Sequence, residues 1–126
     1  MKTNTFILII SAYSLLLGLP AIFAPALALD YFGGTPGNMN EHSSVNFIGG
    51  YQLAIGFLGF MTYRSTDKSI RRSWLLAIAF LTAFAIMVYF FNTNVRHMPP
   101  TKTIYFDMTA WAIMALASLY FWKKEK

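Results

Sequence analysis

Four apolar stretches without a single lysine or arginine dominate this sequence. They cover residues 5–29, 45–63, 73–92 and 104–122, and the only acid inside them is Asp107. A helix needs about 20 mostly apolar residues to cross roughly 30 Å of hydrocarbon, and all four stretches are of that order. The strands of a membrane barrel are shorter and alternate polar with apolar residues, which these stretches do not. The sequence therefore predicts an all-α integral membrane protein. Its expected form is an antiparallel four-helix bundle in up-down-up-down order, a single membrane domain over residues 1–126.

Composition points the same way. Hydrophobic residues make up 56% of the chain and charged residues 12%, about half the charged share of a soluble domain. Too few charges remain to cover a water-exposed surface. The net charge is +5, but the positive residues sit in short clusters between apolar runs. That is the placement of topology determinants beside anionic headgroups, and it argues against nucleic acid as a partner. There is no cysteine, which excludes thiolate catalysis, disulfide exchange and iron–sulfur or Cys-zinc centres.

The charges also predict an orientation. Lys2, Arg64, Lys68, Arg71, Arg72, Lys123, Lys124 and Lys126 fall on one side of the spans, and only Arg96 and Lys102 on the other. Positive residues favour the cytoplasm, so both termini and the loop at residues 64–72 are expected there, in the inner (plasma) membrane of a cell. Tyr63, Trp74, Tyr120 and Trp122 mark the inner edge; Tyr31, Tyr89 and Tyr105 mark the outer one.

The first stretch has two readings. Lys2 ahead of an apolar run, with Ala26-Leu27-Ala28 behind it, resembles a cleavable signal peptide. The run is longer than the 7–15 residues usual there, so an uncleaved helix is the reading adopted. Gly18 and Pro20 are expected to bend it, because proline removes a backbone donor and crowds the preceding turn. Residues 31–44 hold Gly33, Gly34, Pro36 and Gly37, and residues 93–103 hold Pro99 and Pro100. These are turns, and short connections make sequential helices neighbours.

Each span has a face of small or polar residues at spacings of three and four. The faces are Ser11, Ser14, Gly18, Ala21 and Pro25; Asn46, Gly49, Gln52, Gly56, Gly59 and Tyr63; Thr82, Ala85, Tyr89 and Asn92; and Asp107, Ala110, Trp111, Met114 and Ser118. Simple helix packing accounts for such faces. A ligand crevice is the functional alternative, with Gln52, Asn46, Tyr89, Asn92, Asp107 and Trp111 as its ligand-binding residues. A carboxylate within a span costs a few kcal/mol on insertion scales, so Asp107 is expected to face the bundle, near Arg96, His97, Tyr89 or Gln52.

Both histidines and three of the five acids lie toward the outer end. His97, Asp107, Glu41 and His42 are the candidate catalytic residues, with His97 and Asp107 available for acid–base work. Glu41-His42 and His97 match no metal-ligand spacing, and no phosphate loop or nucleophile elbow is present. No metal and no cofactor are implied.

The segment Phe47-Ile48-Gly49-Gly50-Tyr51-Gln52-Leu53-Ala54-Ile55-Gly56 opens the second span after a Gly/Pro-rich turn. A basic inner loop, a Trp-led third span, a Pro-Pro turn and a fourth span follow. This order resembles the small uncharacterised four-helix membrane proteins of bacteria, a domain-of-unknown-function type that shares its outline with DoxX-like proteins. The Gly-Arg pair expected near the outer end of the third span in such proteins is absent; Val88-Tyr89-Phe90-Phe91-Asn92 stands there. The resemblance implies a fold and a membrane location, not a reaction.

The function expected is a binding or accessory module for a lipid-like ligand or a partner membrane protein, with a homo-oligomer as a further partner. The Gly-rich face of the second span would receive that ligand or helix, with Gln52 and Asp107 as polar anchors. A membrane enzyme acting on a lipophilic substrate at the outer end is one alternative. A small oligomeric transporter is another, although no span carries a carboxylate at its midplane.

Overall fold

A computed structural model describes every residue except Lys102. Lys102, counted above with Arg96 on the outer side, thus lies outside the described residues. Among the described residues the chain forms five α-helices and no strand: α1 (Thr3–Phe23), α2 (Pro25–Phe32), α3 (Met39–Arg64), α4 (Lys68–Asn94) and α5 (Ile104–Lys124). Four of them, α1, α3, α4 and α5, are long and apolar enough to cross a membrane. The chain divides into two compact units, Met1–Arg64 and Ser65–Lys126.

In the first unit, α1 packs on α3, and α2 touches both. The run expected as one helix over residues 5–29 is two. The break falls at Ala24 (φ −140°, ψ 58°), not at Pro20, which sits inside α1. Pro25 explains this. It has no N–H to donate into α1, and its ring drives the preceding residue out of the helical region. As the first residue of α2, Pro25 is well placed, since that position needs no donor.

The pairing of α1 with α3 follows from glycine. A Cβ at Gly56 would fall 2.7 Å from Leu15 Cγ and 2.9 Å from the Ser11 carbonyl oxygen. Gly18 meets Gly49 in the same way, and Asn4 Nδ2 donates to the Tyr63 carbonyl at 3.4 Å. Numbers rise along one helix as they fall along the other. Gly49, Gly56 and Gly59 are all buried, as are Ser11, Ser14, Gly18 and Ala21. The Gly-rich face expected to receive a ligand or partner helix is therefore covered by the chain's own α1. Small residues let two backbones approach, and in lipid such packing substitutes for a hydrophobic driving force. Ser11 is satisfied locally, its hydroxyl donating to the Ile7 carbonyl at 2.7 Å.

In the second unit, α4 packs on α5. Trp74, Leu75, Ile78 and Ala79 are buried on α4, and Ile104, Asp107, Ala115, Ser118 and Phe121 on α5. Arg71 near the start of α4 pairs with Glu125 just past α5, guanidinium to carboxylate at 2.7 Å. The rings of Tyr89 and Trp111 meet toward the other end, 5.4 Å apart.

Helices α3 and α4 start earlier than their apolar runs, at Met39 and Lys68 instead of residues 45 and 73. Capping explains both. Asp67 accepts a hydrogen bond from the Ser69 N–H at 2.7 Å, which satisfies one of the orphan donors of the first turn of α4. Asn38 does the same for α3 through the Asn40 N–H at 3.0 Å. The basic residues 68, 71 and 72 are therefore helical.

Large apolar side chains point outward along all four long helices. Leu16, Phe57, Phe80 and Leu116 are each more than half exposed. No more than 39% of the most apolar stretch of any of the four is buried. Apolar surface on this scale is not tolerated in water; it fits helices whose outer faces meet lipid.

Candidate functional site

Two groups of the predicted site residues come together, one in each unit. In the first unit they form around the turn from α2 to α3. Gly33 closes α2 in the left-handed conformation (φ 75°). The Gly34 N–H reaches the Leu29 carbonyl at 2.8 Å, and the Gly33 N–H reaches that of Asp30 at 3.3 Å. These bonds satisfy the last carbonyls of the helix, a geometry that glycine adopts without steric cost.

Glu41 then ties the turn to the start of α3. Its Oε2 accepts from the Thr35 N–H at 2.6 Å and its Oε1 from Asn38 Nδ2 at 2.9 Å. His42 Nε2 bonds the Pro36 carbonyl. A carbonyl only accepts, so Nε2 is the protonated nitrogen in this contact. Both carboxylate oxygens of Glu41 and one ring nitrogen of His42 thus hold a turn. Asn46 is exposed one helical turn further along α3, and Gln52 is partly exposed.

In the second unit, Asp107 lies in the first turn of α5 and is only 4% exposed. Its N–H donates to the Thr103 carbonyl at 2.9 Å. The negative end of a side chain is favoured there by the helix dipole. Tyr89 of α4 lies beside Asp107 and Thr101, and its ring leans on Trp111 at an interplanar angle of 48°. Tyr89, Asp107 and Trp111 are therefore one cluster. Asn92, one turn beyond Tyr89, faces Arg96, whose guanidinium reaches Asn92 Oδ1 at 3.4 Å and covers the Phe91 ring at 5.2 Å. His97 is exposed in the turn beyond α4, with a positive φ of 55°.

Chemically, the Tyr89–Asp107–Trp111 cluster offers a hydroxyl, a carboxyl and two flat rings at one end of the α4–α5 pair. That combination suits the polar end of an amphiphile. Among the described residues no three His, Asp or Glu side chains gather as a metal site would require. An open apolar groove of about 770 Å³ runs along α4 between Phe84 and Arg96.

Thr101, Thr103, Thr35 and Asn38 belong to these clusters and escaped the sequence reading. A signal existed for one of them. Asn38-Met39-Asn40-Glu41 has the spacing of a capping box, a helix-starting residue followed three positions later by Glu. Nothing in the sequence marks the threonines.

Residues 8–126 match the family model of a domain of unknown function, DUF8292. No curated protein and no solved structure matches the chain. The DoxX-like outline finds no support in these comparisons. The match covers nearly the whole chain, and the protein belongs to the DUF8292 family.

Proposed function

We propose that this DUF8292 protein is a multi-pass protein of the cell's inner (plasma) membrane, acting without catalysis as a binding or accessory module for a lipid-like ligand or a partner membrane protein. In this reading α1, α3, α4 and α5 cross in alternating directions as an up-down-up-down bundle. Both termini and the turn between α3 and α4 lie in the cytoplasm.

One observation carries the proposal: four helices long enough to span, with large apolar side chains exposed along their length. The orientation draws on the eight positive residues expected inside against two outside. Binding is favoured over catalysis because Glu41 and His42 are engaged in building a turn. The ligand contacts are assigned to Tyr89, Asn92, Asp107 and Trp111 in the second unit; Asn46 and Gln52 remain candidate contacts of the first unit by itself.

The absence of cysteine makes the test clean. Single cysteines at positions 68 and 97 are labelled with a membrane-impermeant maleimide in intact cells. Position 97 should react and position 68 should react only after permeabilisation. Labelling of position 97 from the cytoplasmic side alone overturns the orientation. For the ligand, native mass spectrometry compares lipid retained by the wild type and by Asp107→Asn. An unchanged lipid profile in that variant removes Asp107 from the site.

A further inference from the structure

At the opposite end of the α4–α5 pair from Asp107, a cleft of about 390 Å³ opens between the first turns of α4 and the last turn of α5. Its charged walls are Lys68, Arg72 and Lys126, and its one acid is Glu125. Glu125 is already held by Arg71, at 2.7 Å and 2.9 Å from two guanidinium nitrogens. Lys68 Nζ donates to the Lys126 backbone oxygen at 3.3 Å, so the cleft sets three basic side chains against one acidic side chain, which Arg71 already engages. Ser69 and Ser73 add hydroxyls to its wall.

Arg72 is the informative residue. Its guanidinium lies over the Trp122 ring, 4.9 Å from the centroid. Its Nε is buried and makes no hydrogen bond among the described residues. A buried, charged donor without an acceptor is costly, and a planar guanidinium matches the oxygens of a phosphate. The same cleft has an apolar side, formed by Leu76 and Trp122. A soluble anion needs no such wall, whereas a phospholipid does: a phosphate above and acyl carbon below. Basic pockets between membrane helices on the cytoplasmic side bind anionic headgroups in this way.

We infer that this cleft binds the phosphate of an anionic phospholipid in the leaflet facing the basic end of α4, with Arg72 and Lys68 on the phosphate oxygens and Leu76 and Trp122 against the chain. The site is separate from the Asp107 cluster, but it rests on the membrane reading above. The labelling of position 68 tests that reading separately, so the two can fail independently.

The full chain is purified in detergent, given equal amounts of phosphatidylglycerol and phosphatidylcholine, and its bound lipids are read by native mass spectrometry. Phosphatidylglycerol should be retained in preference. Each charge near such a headgroup changes affinity about fivefold, so Lys68→Gln with Arg72→Gln should weaken that preference tenfold or more. Lys123→Gln with Lys124→Gln removes equal charge outside the cleft and should leave most of it. Arg72→Lys keeps the charge but lacks the Nε donor, and should retain an intermediate preference. Helix content by circular dichroism confirms that each variant is folded. Equal retention of the two lipids, or equal loss in both double variants, overturns the site. Displacement of the lipid by millimolar inorganic phosphate overturns the lipid as its source.

Discussion

Gly18 and Gly49 stand back to back across α1 and α3. A Cβ on Gly18 would lie 2.9 Å from the Gly49 carbonyl oxygen, and one on Gly49 would lie 3.1 Å from that of Gly18 and 2.8 Å from Ala21 Cβ. Backbone oxygen faces each added Cβ, and the Leu53 and Ile22 side chains crowd the same two positions at 2.9 Å and 2.8 Å. Gly49→Ala should destabilise the protein by about 1–3 kcal/mol, the range for forcing extra volume into a packed interface. Its neighbour supplies the control. A Cβ on Gly50 meets nothing within 4 Å, so Gly50→Ala should be neutral or stabilising by up to about 1 kcal/mol, from helix propensity alone. Unfolding by SDS titration of the two variants reads the difference. Equal effects would show that the glycines act through propensity and not through contact.

Ser118 makes the opposite case. It is fully buried on α5, and its hydroxyl makes no hydrogen bond among the described residues. Ser11 and Thr82, by contrast, donate to carbonyls four residues back at 2.7 Å and 2.8 Å. Removing an unsatisfied buried hydroxyl should help. Ser118→Ala is expected to raise stability by about 1 kcal/mol, and Ser11→Ala to lower it or leave it unchanged. The same SDS titration distinguishes them; a loss at Ser118 would mean that its hydroxyl stabilises the packing of α5.

The spans were legible in the sequence because crossing hydrocarbon is a demand on composition that local detail does not override. The ends were less so. The apolar run stops at Val45 but α3 begins at Met39, because a cap and the Glu41 side chain sustain a polar first turn that hydropathy ignores. Likewise α4 takes in Lys68, Arg71 and Arg72, whose charges read as a loop. The break falls at Ala24 and not at Pro20, which α1 accommodates, because Pro25 is the proline whose missing donor falls where a helix must end. The Gly-rich face of α3 was readable as a packing face; which helix covers it was not, since spacing says nothing about the partner. Asp107 was expected to be buried, because a carboxylate in a span faces away from lipid, and it is. That Thr101 would join Tyr89 beside it is encoded by no periodic pattern.

The turn before α3 should be a stability element and not a reactive one. Glu41→Ala removes two acceptors, for the Thr35 N–H and for Asn38 Nδ2. The helix should fray locally at a cost of about 1 kcal/mol. Hydrogen exchange is the appropriate measurement: residues 39–43 should exchange faster while the centre of α3 does not change. Faster exchange along all of α3 would show that the turn supports the α1–α3 pair as a whole.

Arg71 and Glu125 join the start of α4 to the end of α5, with side chains only 14% and 12% exposed. Arg71 also donates to the Ser65 carbonyl at 3.2 Å, so its guanidinium is positioned from two sides. Glu125→Gln removes the charge and leaves the mostly buried arginine without its counter-ion, which should cost about 1–3 kcal/mol. Because the pair is mostly shielded from water, 0.5 M salt should weaken it little, unlike an exposed pair. The double replacement Arg71→Met with Glu125→Leu removes both charges, and most of the lost stability should return, since no unpaired ion remains. SDS unfolding of the two single variants and the double variant gives the coupling between the two residues. If the double variant is as unstable as the sum of the singles, the pair contributes nothing as a pair, and Arg71 acts through Ser65 alone.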